Sequence, residues 1–279
     1  MELDMDGRLV SSRRTLLKGF GASAAWLAAA PAIAKGLAAP SWTANPFSLG
    51  VAAGAPSADG FVLWTRLAPA PNEPDAGMGG PSRPIGYEIA SDDTMHHIVQ
   101  RGTALADADF GYSVHKEHKE IRGLRPGRPY WYRFTSGAAS STIGRAMTLP
   151  PSGTAALKFA YFSCSNYEHG YFSAYRHAAE ENPDFGIFLG DYIYEYAEKK
   201  HPVVRTHSGG KECETLDEYR ARYTQYRLDS NLQFLHASMP SLATWDDHEV
   251  QNDYADKWAR TSRTRRVPEA ARRRLSHLL

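Results

Sequence analysis

The sequence has few cysteines, almost no net charge and no long apolar run. Its 279 residues include only two cysteines, which excludes a disulfide-rich scaffold. The formal net charge is +1 and the one dense basic run lies within residues 260–274, so a structural nucleic-acid partner is not expected. The apolar stretch over residues 19–30 is shorter than the roughly 20 residues that cross a bilayer, so no transmembrane anchor is expected either. The composition is 42% hydrophobic, 11% aromatic and 23% charged, as in a folded globular protein.

The first 39 residues are typical of a twin-arginine signal peptide. They contain the pattern Ser12-Arg13-Arg14-Thr15-Leu16-Leu17-Lys18, then an alanine-rich run and small-residue sites at 32–34 and 37–39 that suit a signal peptidase. Such a segment is removed on export and is kept apart from fold reasoning. We therefore expect the twin-arginine export machinery as a partner and a periplasmic or secreted location. A membrane anchor is the alternative for this segment.

Residues 46–150 have the composition of a β-sandwich. Segments rich in β-branched and aromatic residues occur at 61–67, 86–90 and 130–134, with turn signals between them. The turn at 123–129 resembles the corner before a late strand of a fibronectin-type sandwich, where an aromatic hydroxyl bonds back to the backbone. The pattern predicts a fibronectin/Ig-like β-sandwich as the N-terminal domain.

After residue 150 the pattern changes to alternating strands and helices. Strands are predicted at 157–163, 185–189 and 241–245, and helices at 171–181 and 216–227. The second helix has Thr215 as its cap and two acidic residues in its first turn, near the positive end of the helix dipole. This alternation predicts the first half of an α/β domain over residues 151–258.

Three short islands in this second half place metal-binding residue types at the ends of predicted strands. In an open α/β sheet such side chains project into the crevice where ligands bind. The residues concerned are Cys164, Asp191, Tyr194, Asp247 and His248. Thiolate, phenolate and carboxylate together suit a strongly Lewis-acidic cation with a second cation beside it, as in a metal-dependent phosphoesterase. The simpler alternatives are a cysteine that fills the core and an aspartate that caps a turn.

The same islands, together with residues 47–52, 62–67 and 170–176, resemble the alkaline phosphatase D (PhoD-type) family of calcineurin-like metallophosphoesterases. The resemblance implies hydrolysis of exported phosphate esters by metal-activated hydroxide, with a ferric ion and a calcium ion in the site. It implies that Cys164 and Tyr194 hold the iron and that Asp191 bridges the two ions. Either Asp247 or Asn252 would serve the calcium. The remaining residue, His248, would act as an acid or contact the phosphate.

The chain departs from this family towards its end. Family members carry a later Gly-Asp-x-His segment that has no counterpart here, and residues 259–279 form an atypical Arg-rich tail. Seven of the fifteen residues from 260 to 274 are arginine, which is typical of either a shifted reading frame or a solvated helix. We therefore interpret the α/β metallophosphoesterase domain as incomplete. A catalytically incompetent truncated fragment, or an exported binding module, is the alternative function.

Two further alternatives remain open at this level. A disulfide between Cys164 and Cys213 would consume the proposed iron ligand. The segment 201–210 contains Arg205 and His207, which would either contact the substrate phosphate or lie in an ordinary polar loop.

Overall fold

The structure, a computed structural model, describes residues 41–117, 120–151, 156–198 and 201–254, and the backbone of residues 258–259 and 262–266. The predicted signal peptide and most of the predicted tail lie outside these ranges. Within them, none of the helices has the length and apolar character needed to cross a bilayer. The described helices are α1 Ser173–Glu180, α2 Leu216–Arg227 and α3 Ser230–Ser238. The described strands are β1 Val51–Gly54, β2 Val62–Arg66, β3 Arg83–Ala90, β4 Ile98–Ala106, β5 Ser113–Lys116, β6 Pro129–Ser136, β7 Ala139–Ser140, β8 Gly144–Met147, β9 Phe159–Phe162, β10 Phe185–Leu189, β11 Ser241–Thr244, β12 Trp258–Ala259 and β13 Ser262–Arg266.

An antiparallel sheet of five strands is formed entirely by the first half of the chain. Its order is β4-β3-β6-β7, and β8 pairs with β6 as well. Along β6, buried and half-buried residues alternate, so that Tyr130, Tyr132 and Phe134 all face the core. The Tyr130 hydroxyl accepts a hydrogen bond of 2.8 Å from the backbone N–H of Arg125, which is the back-bonded corner expected from the sequence. The first half is therefore rich in strands as predicted, while its assignment to a fibronectin/Ig-like sandwich stays a prediction.

A second sheet of six strands contains strands from both halves of the chain. Its order is β5-β2-β1-β11-β10-β9; β9, β10 and β11 are parallel, and β1 joins β11 through the pair Gly54 and Ser241. A Cβ atom on Gly54 would lie 2.6 Å from the Ser241 carbonyl oxygen, so this pairing needs a glycine. The two sheets share one core, to which Leu63 and Val114 contribute from the six-stranded sheet and Ile89 from the other.

The three helices pack on one face of β10 through an unusually tyrosine-rich core. This core contains Phe172, Phe188 and Leu235 together with the tyrosines Tyr175, Tyr192, Tyr219, Tyr223 and Tyr226. Helix α2 begins at a capping box, in which the Thr215 hydroxyl accepts the N–H of Glu218 and the Glu218 carboxylate accepts the N–H of Thr215. The predicted bounds of this helix and of strand β10 are both confirmed.

The opposite face of the parallel strands is exposed. Tyr161 is 69% exposed, and Phe159, Leu189 and Leu242 are also accessible, while β9 forms an edge of the sheet. Strands β12 and β13 pair as an antiparallel hairpin, so the alternative of an Arg-rich helix is wrong over residues 262–266.

Candidate metal centre

The three predicted islands meet at one edge of the six-stranded sheet. Cys164 follows β9, Asp191 follows β10 and Asp247 follows β11, and the carboxyl ends of parallel strands share an edge. Backbone hydrogen bonds join the first two loops: the N–H of Cys164 donates to Gly190 O at 3.4 Å, and the N–H of Ser165 donates to Asp191 O at 3.1 Å. The sheet topology therefore brings together side chains that are far apart in the sequence.

The backbone turns sharply at each of the first two candidate ligands. Cys164 has a φ of 55° and Asp191 a φ of 53°, in the left-handed region that side-chain-bearing residues seldom occupy. Each such residue costs on the order of 1–3 kcal/mol, and such strain is concentrated at functional sites. Gly190 lies between strand β10 and Asp191 and has a φ of 106°. A Cβ atom at this position would lie 2.5 Å from Cβ of Asp246. The turns place both ligand side chains at the sheet edge.

Asp191 is at the centre of the cluster. Ligand atoms of Asp191, Asp247 and His248 all lie within 4.8 Å of one another. Oδ2 of Asp191 accepts the Tyr194 hydroxyl at 3.2 Å, whereas the buried Oδ1 has no hydrogen-bond partner among the described residues. The Cys164 thiol lies beside both the Asp191 carboxylate and the Tyr194 hydroxyl. Five of the six predicted site residues therefore surround one point.

The electrostatics of this cluster disfavour negative charge when no cation is present. Burial raises the pKa of Asp191, an effect that the charge of His248 and the hydrogen bonds from Cys164 and Tyr194 only partly offset. The pKa of Tyr194 is also raised, by burial first and then by the negative charge of Asp191. A cation bound here would reverse both effects, since it stabilises carboxylate and phenolate.

The structure separates candidates that the sequence left together. Tyr192 turns away from the cluster and its hydroxyl pairs with Nε2 of His236 at 2.9 Å, whereas Tyr194 faces Asp191. Asp247 lies in the cluster with Asp191 and His248, and the Asn252 side-chain amide donates to Asp253 at 3.1 Å.

His248 is held by a buried carboxylate. Its Nδ1 lies 2.8 Å from Oε2 of Glu195, which is 1% exposed, and Oε1 of the same carboxylate accepts the N–H of Asn252 at 2.9 Å. Because the carboxylate accepts at Nδ1, the other ring nitrogen is left for the cluster. Burial lowers the pKa of His248, but the hydrogen bond and charge of Glu195, together with the charges of Asp191 and Asp247, raise it overall.

Comparisons with known proteins place this arrangement in a family. A profile described as PhoD-like phosphatase matches residues 159–276, and another described as PhoD-like phosphatase, N-terminal domain, matches residues 30–150. The chain belongs to the PhoD-like phosphatase family. The first of these matches continues across the Arg-rich segment that follows residue 259.

Two PhoD proteins agree with the family match. Alkaline phosphatase D of Bacillus subtilis (strain 168) is 46% identical over 226 residues, which are 79% of this chain and 38% of the relative. A solved structure of PhoD matches with a TM-score of 0.78 and 42% identity, over 86% of this chain and 46% of that one. A purple acid phosphatase from yellow lupin seeds aligns at 11% identity with a TM-score of 0.46, over 74% of this chain and 37% of that one. The chain thus spans less than half the length of the PhoD proteins that it matches.

In this PhoD-like chain, the Tyr194 loop is held by a tyrosine of helix α2 that the sequence did not single out. The Tyr226 hydroxyl accepts the backbone N–H groups of Tyr167 at 3.0 Å and of Tyr194 at 3.1 Å. It also lies 3.1 Å from Nε2 of His207, whose Nδ1 is 2.8 Å from Tyr196 O. The carbonyl at Tyr196 can only accept, so the proton is on Nδ1 and Tyr226 donates to Nε2.

Other side chains near this loop are structural too. The buried guanidinium of Arg222 donates to the carbonyls of Tyr194 and Tyr196. Arg205 lies 3.7 Å over the Tyr167 ring and forms an ion pair with Asp229. Arg205 and His207 are the two residues of segment 201–210 that the sequence offered as phosphate contacts. Both instead make contacts within the protein.

Sequence reasoning also missed the role of Glu195. This residue directly follows Tyr194 in the second island, and an acidic residue beside a metal-binding motif was the one available signal. The two cysteines are both free, with Cys164 exposed and Cys213 buried, so the disulfide alternative is wrong.

Proposed function

We propose that this chain carries the metal centre of an exported, metal-dependent phosphoesterase that hydrolyses phosphate esters. The observation that carries the proposal is the convergence on Asp191 of a thiol, a phenol, a second carboxylate and an imidazole. Membership of the PhoD-like phosphatase family supports the reaction class. The same membership favours a phosphoesterase over a binding module without catalytic function.

The donor set fits the ferric and calcium ions that the family resemblance implies. The unpaired, buried Oδ1 of Asp191 needs a positive partner, because a buried carboxylate oxygen without one is costly. We assign Cys164, Tyr194 and Asp191 to the ferric ion, since thiolate and phenolate stabilise the higher oxidation state. We assign Asp191 and Asp247 to the calcium ion, with Asn252 as a further candidate ligand. When bound, the cations supply charge that neutralises the phosphate and lowers the pKa of a water molecule to about 7.

The protein's own contribution to the reaction is the positioned imidazole. Glu195 fixes Nδ1 of His248, which leaves Nε2 as the atom that donates a proton to the leaving oxygen or bonds to the phosphate. The hydrogen bond and the charge of Glu195 both raise the pKa of His248. Glu195 acts through His248 and is a positioning residue.

The test compares the two cysteines. Wild-type protein, Cys164→Ala and Cys213→Ala are loaded with ferric iron and calcium, and iron content and hydrolysis of an aryl phosphate ester are measured. We expect Cys164→Ala to lose iron and hydrolysis together, while Cys213→Ala, whose thiol lies away from the cluster, keeps both. Iron retained by Cys164→Ala would refute the ligand assignment. Iron binding without hydrolysis in the wild type would support the alternative of a catalytically incompetent fragment.

We also propose export through the twin-arginine pathway to the periplasm or the medium. The support is the Arg13-Arg14 pair followed by an apolar run in the first 39 residues. Replacing both arginines by lysine should leave the precursor in the cytoplasm of a cell with this pathway. Unchanged export of that variant would contradict the proposal.

A further inference from the structure

A buried carboxylate lies between the two loops that carry Asp191 and Asp247. Glu249 is 0% exposed, so bulk water does not reach it. Its Oε1 accepts the backbone N–H of Tyr192, and its Oε2 accepts the backbone N–H of Asp246 at 2.9 Å. The backbone N–H of Asp191 contributes a further hydrogen bond. One side chain therefore holds the chain directly beside both candidate ligands.

These two loops depend on side chains for their connection. Backbone hydrogen bonds join the loop after β9 to the loop after β10. Past the strand ends, no backbone–backbone hydrogen bond joins residues 191–196 to residues 246–252, both of which the structure describes in full. Glu195 crosses between them at His248, and Glu249 crosses closer to the strand ends. The spacing of the two loops near the strands is thus set by Glu249.

The loops approach each other closely at this point. A Cβ atom on Gly190 would lie 2.6 Å from the backbone nitrogen of Asp246, which is the nitrogen that donates to Glu249. The next residue, Asp191, has a φ of 53°, in a region that costs free energy for a residue with a side chain. Hydrogen bonds to a carboxylate are about twice as strong as those between neutral groups, so Glu249 stabilises this turn.

We propose that Glu249 is a positioning residue, which sets the spacing between Asp191 and Asp247 and thereby the affinity of the centre for cations. It is not a ligand in our assignment, and it acts through the two loops whose N–H groups it accepts. Replacing a buried partner of this kind commonly changes metal affinity by about 10–100-fold. The role of Glu249 rests on the proposed metal centre, but not on the hydrolysis of phosphate esters.

Terbium is a suitable probe, since this hard cation prefers oxygen ligands as calcium does and its luminescence is excited through a nearby tyrosine such as Tyr194. The full chain is titrated with terbium, and Asp191→Asn identifies the signal of the centre by abolishing it. We expect Glu249→Gln to weaken this binding by about tenfold or more, because the amide nitrogen cannot accept either backbone N–H group.

Glu168 provides a matched control. Its carboxylate is 1% exposed and also accepts two backbone N–H groups, from Glu198 at 2.6 Å and from His207 at 2.9 Å. Neither group belongs to a candidate ligand loop, so Glu168→Gln should lose a similar free energy of unfolding in urea but bind terbium within about twofold of the wild type. An equal loss of affinity in Glu168→Gln and Glu249→Gln would overturn the role of Glu249 and leave the metal centre intact. If the wild type gave no terbium signal that depends on Asp191, the metal centre would be refuted, and the role of Glu249 with it.

Hydrogen exchange on the metal-free wild type tests the link even if Glu249→Gln does not fold. The amide protons of Tyr192 and Asp246 lie outside the strands. We expect both to exchange at similar rates and far more slowly than an unbonded loop amide, because one buried carboxylate holds them together. Rapid exchange of either proton would overturn the proposal.

Discussion

The strongest quantitative prediction concerns the Tyr226 hydroxyl, which links helix α2 to two loops of the metal centre. The change Tyr226→Phe removes one oxygen and leaves the ring in place. That oxygen accepts from the N–H groups of Tyr167 and Tyr194 and donates to Nε2 of His207. Since Tyr226 is fully buried, water does not replace the missing oxygen without opening the core.

The expected loss follows from the number of groups left without a partner. Two backbone N–H groups and one imidazole nitrogen become unsatisfied, and each costs about 1–3 kcal/mol. We take about 3–5 kcal/mol as the total loss in the free energy of unfolding, because the loops can relax slightly. This is a large part of the 5–15 kcal/mol that stabilises a typical domain, and it lowers the urea midpoint by about 1–2 M.

The same helix provides a matched control. Tyr223 lies three residues earlier and is 2% exposed, but its buried hydroxyl has no hydrogen-bond partner among the described residues. Tyr223→Phe removes the same atom without breaking a bond, so we expect a change within about 1 kcal/mol, neutral or stabilising. Urea unfolding followed by near-ultraviolet circular dichroism measures both variants. Equal losses of unfolding free energy in the two variants would show that the Tyr226 hydroxyl does not hold the two loops to helix α2.

Three further outcomes are expected. Gly190→Ala should weaken metal binding in a competition assay, because Gly190 has a φ of 106° and the new Cβ would collide with Asp246. Gly170→Ala is the control and should bind metal normally, because its new Cβ would have no atom within 4 Å. Burial and the neighbouring Arg222 lower the pKa of His207 to about 4 in the folded protein. As the pH falls, His207 is therefore protonated in the unfolded chain before it is protonated in the folded one. The free energy of unfolding should therefore fall as the pH drops from about 6.5 towards 4 and should be steady above about 7, with a shallower slope in His207→Gln. Tyr161→Lys should reduce self-association in sedimentation experiments without changing stability, since Tyr161 is 69% exposed on the apolar face of the edge strand β9.

Local patterns were sufficient for the single elements of this fold. Strand β10 and helix α2 have the bounds expected from sequence, because a short apolar run and a capping box are signals confined to a few neighbouring residues. The corner at Tyr130 was recognisable for the same reason. The joining of β1 to β11 was not predicted, since no local signal specifies which distant strand a given strand pairs with.

The candidate site shows the same division. The sequence was enough to nominate Cys164, Asp191 and Tyr194, because strand ends followed by metal-binding residue types form a recognisable motif. It did not reveal that Glu195 holds His248 across 53 positions of the chain, or that Asn252 turns towards Asp253. Those details depend on which side chains the packed helices and loops bring into contact.

Residue types and their short-range order thus decided the elements, the family resemblance and the choice of candidate ligands, because these depend on neighbouring positions along the chain. Packing alone decided the shared six-stranded sheet and the Tyr226 link. Each of these depends on atoms that are distant in sequence, and their free energy comes from burial and hydrogen bonds that exist only once the chain has folded.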